Sequence, residues 1–143
     1  MKVEQISIFL ENKTGRLANV AQVLKDNSIN IRALTVADST DFGILRMIVN
    51  YPDKAFEVLK SSGFMVKKSD IIAVQIEDKT GLFFEIMELC NNNGLNIEYT
   101  YSFVEQNSNK AILFLRFDNP DMAIDLFIRN GYKLLKNEEL RKI

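Results

Sequence analysis

Two short stretches carry the polar groups from which a small-molecule site could be built. They are Asn12-Lys13-Thr14-Gly15, continuing into Arg16-Leu17, and Asp78-Lys79-Thr80-Gly81, continuing into Leu82. Each follows an apolar run and opens an amphipathic one, so each reads as a strand-to-helix turn. A glycine at such a turn lets the backbone come close to a ligand, and the free N–H groups and dipole of the helix start favour a carboxylate. The Asn12 side chain offers a donor and an acceptor together, as a zwitterionic amino acid needs, while Asp78 favours an ammonium more strongly. Each position also has an ordinary structural reading, since Asn and Asp form turns and Thr14 or Thr80 suits a helix cap. Recurrence gives the pattern its weight. Asn30-Ile31 and Asn96-Ile97 follow the two turns at one spacing, Gly81 lying 66 residues after Gly15 and Asn96 the same 66 after Asn30.

Composition narrows the chemistry further. The 143 residues include no His and one Cys, with no spaced Cys or carboxylate cluster, which removes most zinc, iron and copper sites and the common nucleophile-base pairs. No cofactor, no metal and no catalytic residue is therefore expected. Lys and Arg number 18 against 19 Asp and Glu, so there is no basic excess to release counterions from a phosphate backbone and no nucleic-acid partner is expected. No apolar run is long enough to cross a bilayer, and the opening residues, with an early acid, resemble neither a signal nor a transit peptide. A cytoplasmic protein with no membrane partner is the expectation. Cys90 falls on the apolar stripe of a predicted helix and reads as a small buried hydrophobe.

The elements that must position these turns also come in two copies. Residues 3 to 10 alternate as a strand, and Leu17, Val20, Ala21 and Leu24 then recur at helical spacing with one buried face. Two β-branched strands follow, joined by a hairpin turn at Asp38-Ser39-Thr40-Asp41. Pro52-Asp53 suits the first turn of a second helix, Gly63 its left-handed end, and Phe64-Met65-Val66 a last short strand. The second half repeats this order, with Pro120-Asp121 and Gly131 displaced by 68 residues rather than 66, so two residues were inserted near residues 105 to 109, in a surface hairpin. Lys67-Lys68-Ser69-Asp70 is the one candidate linker, dividing a first domain at residues 1–68 from a second at 69–143.

The order βαββαβ predicts an α+β, ferredoxin-like unit whose antiparallel sheet carries both helices on one face. The opposite face is left uncovered, or the two sheets join side by side into one of eight strands that has fewer exposed edges. The methionines at 47, 65, 87 and 122 read as packing, and Arg46 and Arg116 as solvated or snorkelling side chains. The last eight residues read as a frayed tail or a short closing helix.

Two tandem units with a polar-x-x-Gly-x-apolar turn, and with Asn-Ile opening the next strand, resemble ACT domains over residues 3 to 135. That resemblance implies regulatory modules that bind amino acids between two such domains, as in phosphoglycerate dehydrogenase, aspartate kinase and acetolactate synthase regulatory subunits. It assigns ligand contacts to Asn12 and Asn30, and to Asp78 and Asn96 in the second copy. The family's His two residues before the first Asn is Leu10 or Ile76 here, and its Pro before the glycine is Thr14 or Thr80, so serine specificity is not carried over.

The expected function is thus a non-catalytic regulatory module that takes a small amino acid at residues 12–17, Asn30-Ile31, 78–82 and Asn96-Ile97. It would work as a homodimer or on a regulated enzyme partner, through differential binding to two arrangements. The alternative is a dimerisation or enzyme-docking module with no small-molecule ligand. An acylphosphatase-like enzyme needs an Arg before the turn glycine, whereas Arg16 follows it and Leu82 replaces it. An RNA-binding unit needs basic charge and aromatic residues on its third strand, where Gly43-Ile44-Leu45-Arg46 stands instead.

Overall fold

Each turn glycine stands between a strand and a helix, in the order β1 (Val3–Glu11), α1 (Arg16–Asp26), β2 (Ile31–Asp38), β3 (Phe42–Val49), α2 (Pro52–Ser61) and β4 (Met65–Glu77). The chain continues as α3 (Leu82–Asn92), β5 (Ile97–Val104), β6 (Lys110–Phe117), α4 (Pro120–Arg129), β7 (Lys133–Leu134) and α5 (Asn137–Leu140). The computed structural model describes residues 1–38 and 41–143, and of Asp38 the backbone only. The expected hairpin turn at Asp38-Ser39-Thr40-Asp41 thus falls partly outside the described residues.

Two compact units result. The first comprises Glu4–Ser69 with Leu140–Ile143, the second Asp70–Glu139 with Met1–Val3. In the first, strands lie in the order β2-β3-β1-β4, and β3 runs antiparallel to both β1 and β2. In the second the order is β5-β6-β4-β7, with every pairing antiparallel. The chain is α+β, two βαββαβ units with helices on one sheet face. In the first unit that face buries Ile6, Ile8 and Leu10 of β1 and Leu45 and Met47 of β3 against Val20, Leu24, Ala55 and Leu59 of the helices. In the second, Ile72, Val74, Leu113 and Leu115 meet Ile86, Cys90, Leu126 and Phe127. Each fully buried side chain of this size contributes about 1.5–3 kcal/mol.

Among the described residues the expected eight strands are seven. Lys67-Lys68-Ser69-Asp70 is no linker, because β4 runs unbroken from Met65 to Glu77 and joins the two strands expected on either side of it. Polar residues do not break a strand whose backbone is paired, and exposed Lys68 instead holds Asp53 of α2 at 2.7 Å. The sheet face away from the helices is not bare. Gln5, Ser7 and Ile48 in the first unit and Ile71, Ala73 and Phe114 in the second are buried there, with Gln5 Nε2 donating to Ser7 Oγ at 3.3 Å and Tyr101 stacked on Phe114 at 5.0 Å. Met65 and Met122, expected to pack, are exposed, and Arg116 at the surface donates to the Asp70 carbonyl at 2.5 Å and to Glu98 at 3.4 Å.

Insertion of two residues in the second repeat lies in the β5–β6 hairpin, where Asn107 takes a left-handed φ of 58° and Ser108 Oγ accepts from the Lys110 N–H at 3.0 Å. Gly63 ends α2 as expected, at φ 89°, with its N–H on the Lys60 carbonyl and the Phe64 N–H on that of Leu59, both at 3.1 Å.

Candidate functional site

Glu11 leaves β1 and the chain reverses over four residues before α1 begins. The Asn12 N–H donates to the Asp41 carbonyl at 2.9 Å, the Lys13 N–H to Glu11 at 2.8 Å and the Arg16 N–H to Lys13 at 3.3 Å. Gly15 then stands at the head of α1 with φ 87°, a left-handed conformation that side chains other than glycine's resist. No side chain caps the helix there, so Thr14 does not take the capping role open to it in the sequence. A Cβ added to Gly15 would meet nothing within 4 Å among the described residues.

Charge gathers beside the turn. Glu11 Oε2 lies 2.9 Å from Lys13 Nζ and 3.6 Å from an Arg16 guanidinium nitrogen. The hydrogen bond from Lys13, then the charges of Lys13 and Arg16, hold the Glu11 carboxyl below its usual range. These groups, with Asn12, Leu17, Leu10, Val36 and Gly43, line a cavity of about 90 Å³.

The second turn repeats the backbone. The Asp78 N–H donates to the Asn109 carbonyl at 2.6 Å, the Lys79 N–H to Glu77 at 3.0 Å and the Leu82 N–H to Lys79 at 3.4 Å, and Gly81 heads α3 at φ 89° with no side-chain cap. Thr80, like Thr14, leaves the cap unmade. Glu77 pairs with Lys79 at 3.5 Å, but Leu82 replaces Arg16, so the second cation is missing.

Asn30 and Asn96 lie elsewhere. Leu10 and Asp38 both oppose Gly43 of β3, whereas Ile31 opposes Val49. The Asn12 turn and Asn30 are therefore at opposite ends of one unit, about 20 Å apart at roughly 3.3 Å per strand residue. The same holds in the second unit, where Glu77 opposes Lys110 and Ile97 opposes Phe117. Locally, the Asn30 N–H donates to Asn50 Oδ1 at 2.9 Å and the Asn96 carbonyl accepts from the Asp118 N–H at 3.4 Å. Ile31 and Ile97 pack half-buried against their own cores.

Residues not singled out in the sequence complete the picture. Glu11 precedes the first turn as Glu77 precedes the second, a recurrence that would have revealed it. Leu17 and Ala21, expected on the buried stripe of α1, are exposed and border an apolar groove between α1 and β2, because Val20, Val23 and Leu24 take the core-facing positions. Leu34 and Val36 of β2 form its outer wall. Arg32 donates to the carbonyls of Arg141, at 2.9 Å, and Ile143, and its Nε is buried with no acceptor among the described residues. These bonds and buried Leu140 seat the last residues on the first unit after the short helix α5. Cys90 is buried, and loss of hydration pushes its thiol pKa up. Among the described residues no group of three His, Cys, Asp or Glu side chains could hold a metal ion, and no helix is long and apolar enough to cross a membrane.

Comparison with known proteins gives this geometry a lineage. A family model described as an ACT domain pair matches residues 1–143. A crystal structure of a Bacteroides thetaiotaomicron protein superposes with a TM-score of 0.94 and 38% identity, covering 100% of this chain and 98% of the other. The ligand-free regulatory subunit of aspartate kinase from Thermus thermophilus shares the fold, with a TM-score of 0.64 at 16% identity over 88% of this chain and 90% of that one. In sequence, the acetolactate synthase small subunit of Buchnera aphidicola subsp. Baizongia pistaciae (strain Bp) is 33% identical over 96 residues, 65% of this chain. The match spans 59% of that relative's length.

Proposed function

The chain belongs to the ACT domain pair family, and on that premise we propose that it is a non-catalytic regulatory module binding a small amino acid where two ACT-like units meet. One observation carries this reading: the Asn12 turn and Asn30 stand at opposite ends of their unit, so one small ligand touches both only if they come from two units. β2 is the outermost strand of the first unit and runs parallel to β1, both being antiparallel to β3. Antiparallel pairing of β2 with β2 of a second copy brings the Asn30 end of one beside the Asn12 end of the other. The uncapped helix start and the Lys13-Arg16 pair would then receive the carboxylate, Glu11 the ammonium, and the Asn30 side chain either end. Asp78-Lys79-Thr80-Gly81-Leu82 with Asn96-Ile97 offers the second copy of the same arrangement.

Binding regulates only if the ligand favours one arrangement of units over another, here the paired over the unpaired. The relatives are named as a regulatory subunit of aspartate kinase and a small subunit of acetolactate synthase, which supports a separate catalytic protein as the regulated partner. A thermal-shift panel of the twenty amino acids tests the reading. A ligand present at a hundred times its dissociation constant adds about 2.7 kcal/mol, or about 5–10 °C for a chain of this size. Asn12→Ala and Asn30→Ala should each reduce that shift, and a panel with no response removes amino-acid binding.

Exposed Leu34 and Val36 on an outer strand favour a second reading, in which the same face docks a copy or an enzyme with no ligand. Light scattering separates the two, because docking alone gives a mass that no amino acid alters.

A further inference from the structure

The two repeats keep the same turn backbone and differ in what lies beside it. In the first, the turn cavity adjoins a groove of about 200 Å³ floored by Val20, Leu45 and Met47 and walled by Ala21, Ile31 and Leu34. Leu17 and Val36 line both the cavity and the groove, so the two lie side by side. Every side chain along the groove is a hydrocarbon or thioether. Glu11, Lys13 and Arg16 line the cavity and not the groove.

In the second repeat Met87 takes the position of Ala21 and packs against that unit's core, while Phe83 stands for Leu17. The outer wall there is Thr100 and Ser102 in place of Leu34 and Val36, both exposed on β5. The room that a small Ala21 leaves is taken up by a longer side chain, and the wall that could shield an apolar group from water is polar. Leu82 in place of Arg16 also removes a cation from the head-group end.

We propose that the first repeat is the one that takes a ligand, and that this ligand is an amino acid with a sizeable apolar side chain, its charged head at the Asn12–Gly15 turn and its side chain in the α1–β2 groove. This rests on the amino-acid-binding reading and adds the class of ligand and the repeat. The groove is apolar throughout, so a polar side chain entering it would lose its water with nothing to bond, whereas an apolar one gains by leaving water. A Val- to Phe-sized group buried there is worth about ten- to hundredfold in affinity.

Calorimetry and thermal shift on the full chain test this with valine, leucine, isoleucine, methionine and phenylalanine against glycine, serine, aspartate and lysine. The expected result is stabilisation by members of the first set, with affinity falling at least tenfold in Ala21→Met, which copies the second repeat at an exposed position. Leu34→Thr should weaken binding in the same direction, and Met87→Leu should leave it within twofold. Binding of glycine, serine, aspartate or lysine alone overturns the ligand class and leaves amino-acid sensing standing, whereas no binding at all removes both. Binding of an apolar amino acid that Ala21→Met does not weaken overturns the groove as its seat. So does an Ala21→Met chain whose mass in light scattering drops while ligand affinity holds, since the groove would then be covered by a second copy.

Discussion

The two repeats answer the same backbone problem with different side chains, and the contrast separates what the fold needs from what a site needs. Both turns use glycine at φ near 88° to start a helix without a side-chain cap, and both pair a Glu with a Lys two residues on. Those features are common to both units and so belong to the chain reversal itself. Arg16, Ala21, Leu34 and Val36 occur on one side only, replaced by Leu82, Met87, Thr100 and Ser102 on the other. The repeated sequence keeps the scaffold at both turns, while the side chains beside them differ.

The largest test of that contrast lies in the cores. Phe127 and Leu59 occupy equivalent positions, both fully buried, but Phe127 also packs its ring 6.0 Å from Phe117 and 5.5 Å from Tyr132. Phe127→Ala should cost about 3–5 kcal/mol and Leu59→Ala about 2–5 at most, the first exceeding the second in urea denaturation. Equal losses would mean that the aromatic cluster adds nothing to the second core.

At the turns, Gly15→Ala and Gly81→Ala should each cost about 1–2 kcal/mol, because both backbones are left-handed and neither site is crowded. Only Gly15→Ala should also diminish stabilisation by an amino acid. A ligand response lost in Gly81→Ala and kept in Gly15→Ala would reverse the assignment of the live repeat.

A smaller difference concerns the helix ends. The chain leaves α1 through Ser28 at φ 57° and leaves α3 through Gly94 at φ 67°, the same left-handed turn made by two residue types. Ser28→Gly should gain about 0.5–1 kcal/mol and Gly94→Ser lose a similar amount, read from thermal midpoints.

The smallest effect is electrostatic. With a carboxyl pKa below the usual range in the folded chain, Glu11 contributes stability that is present at neutral pH and lost as the pH falls through the lowered value. A carboxyl titration by NMR should show Lys13→Met raising the Glu11 value more than Arg16→Leu, since the Lys13 hydrogen bond is the larger cause. The reverse order would place Arg16, the residue unique to the first repeat, as the main partner of Glu11.

Periodicity, the glycines and the recurrence at 66 and then 68 residues determined the βαββαβ order and both turns, because turn chemistry and helical spacing are local properties of the chain. The extended backbone through Lys67-Lys68-Ser69-Asp70 was not legible, since it depends on hydrogen bonds from β4 to a distant strand rather than on the residues' own preferences. Nor was the exposure of Leu17 and Ala21, which depends on how α1 is rotated over its sheet, a choice made by Val20, Val23 and Leu24 together. Sequence alone set Asn12 and Asn30 side by side in one pattern. Strand register put them about 20 Å apart, because parallel strands begin and end at opposite edges of a sheet.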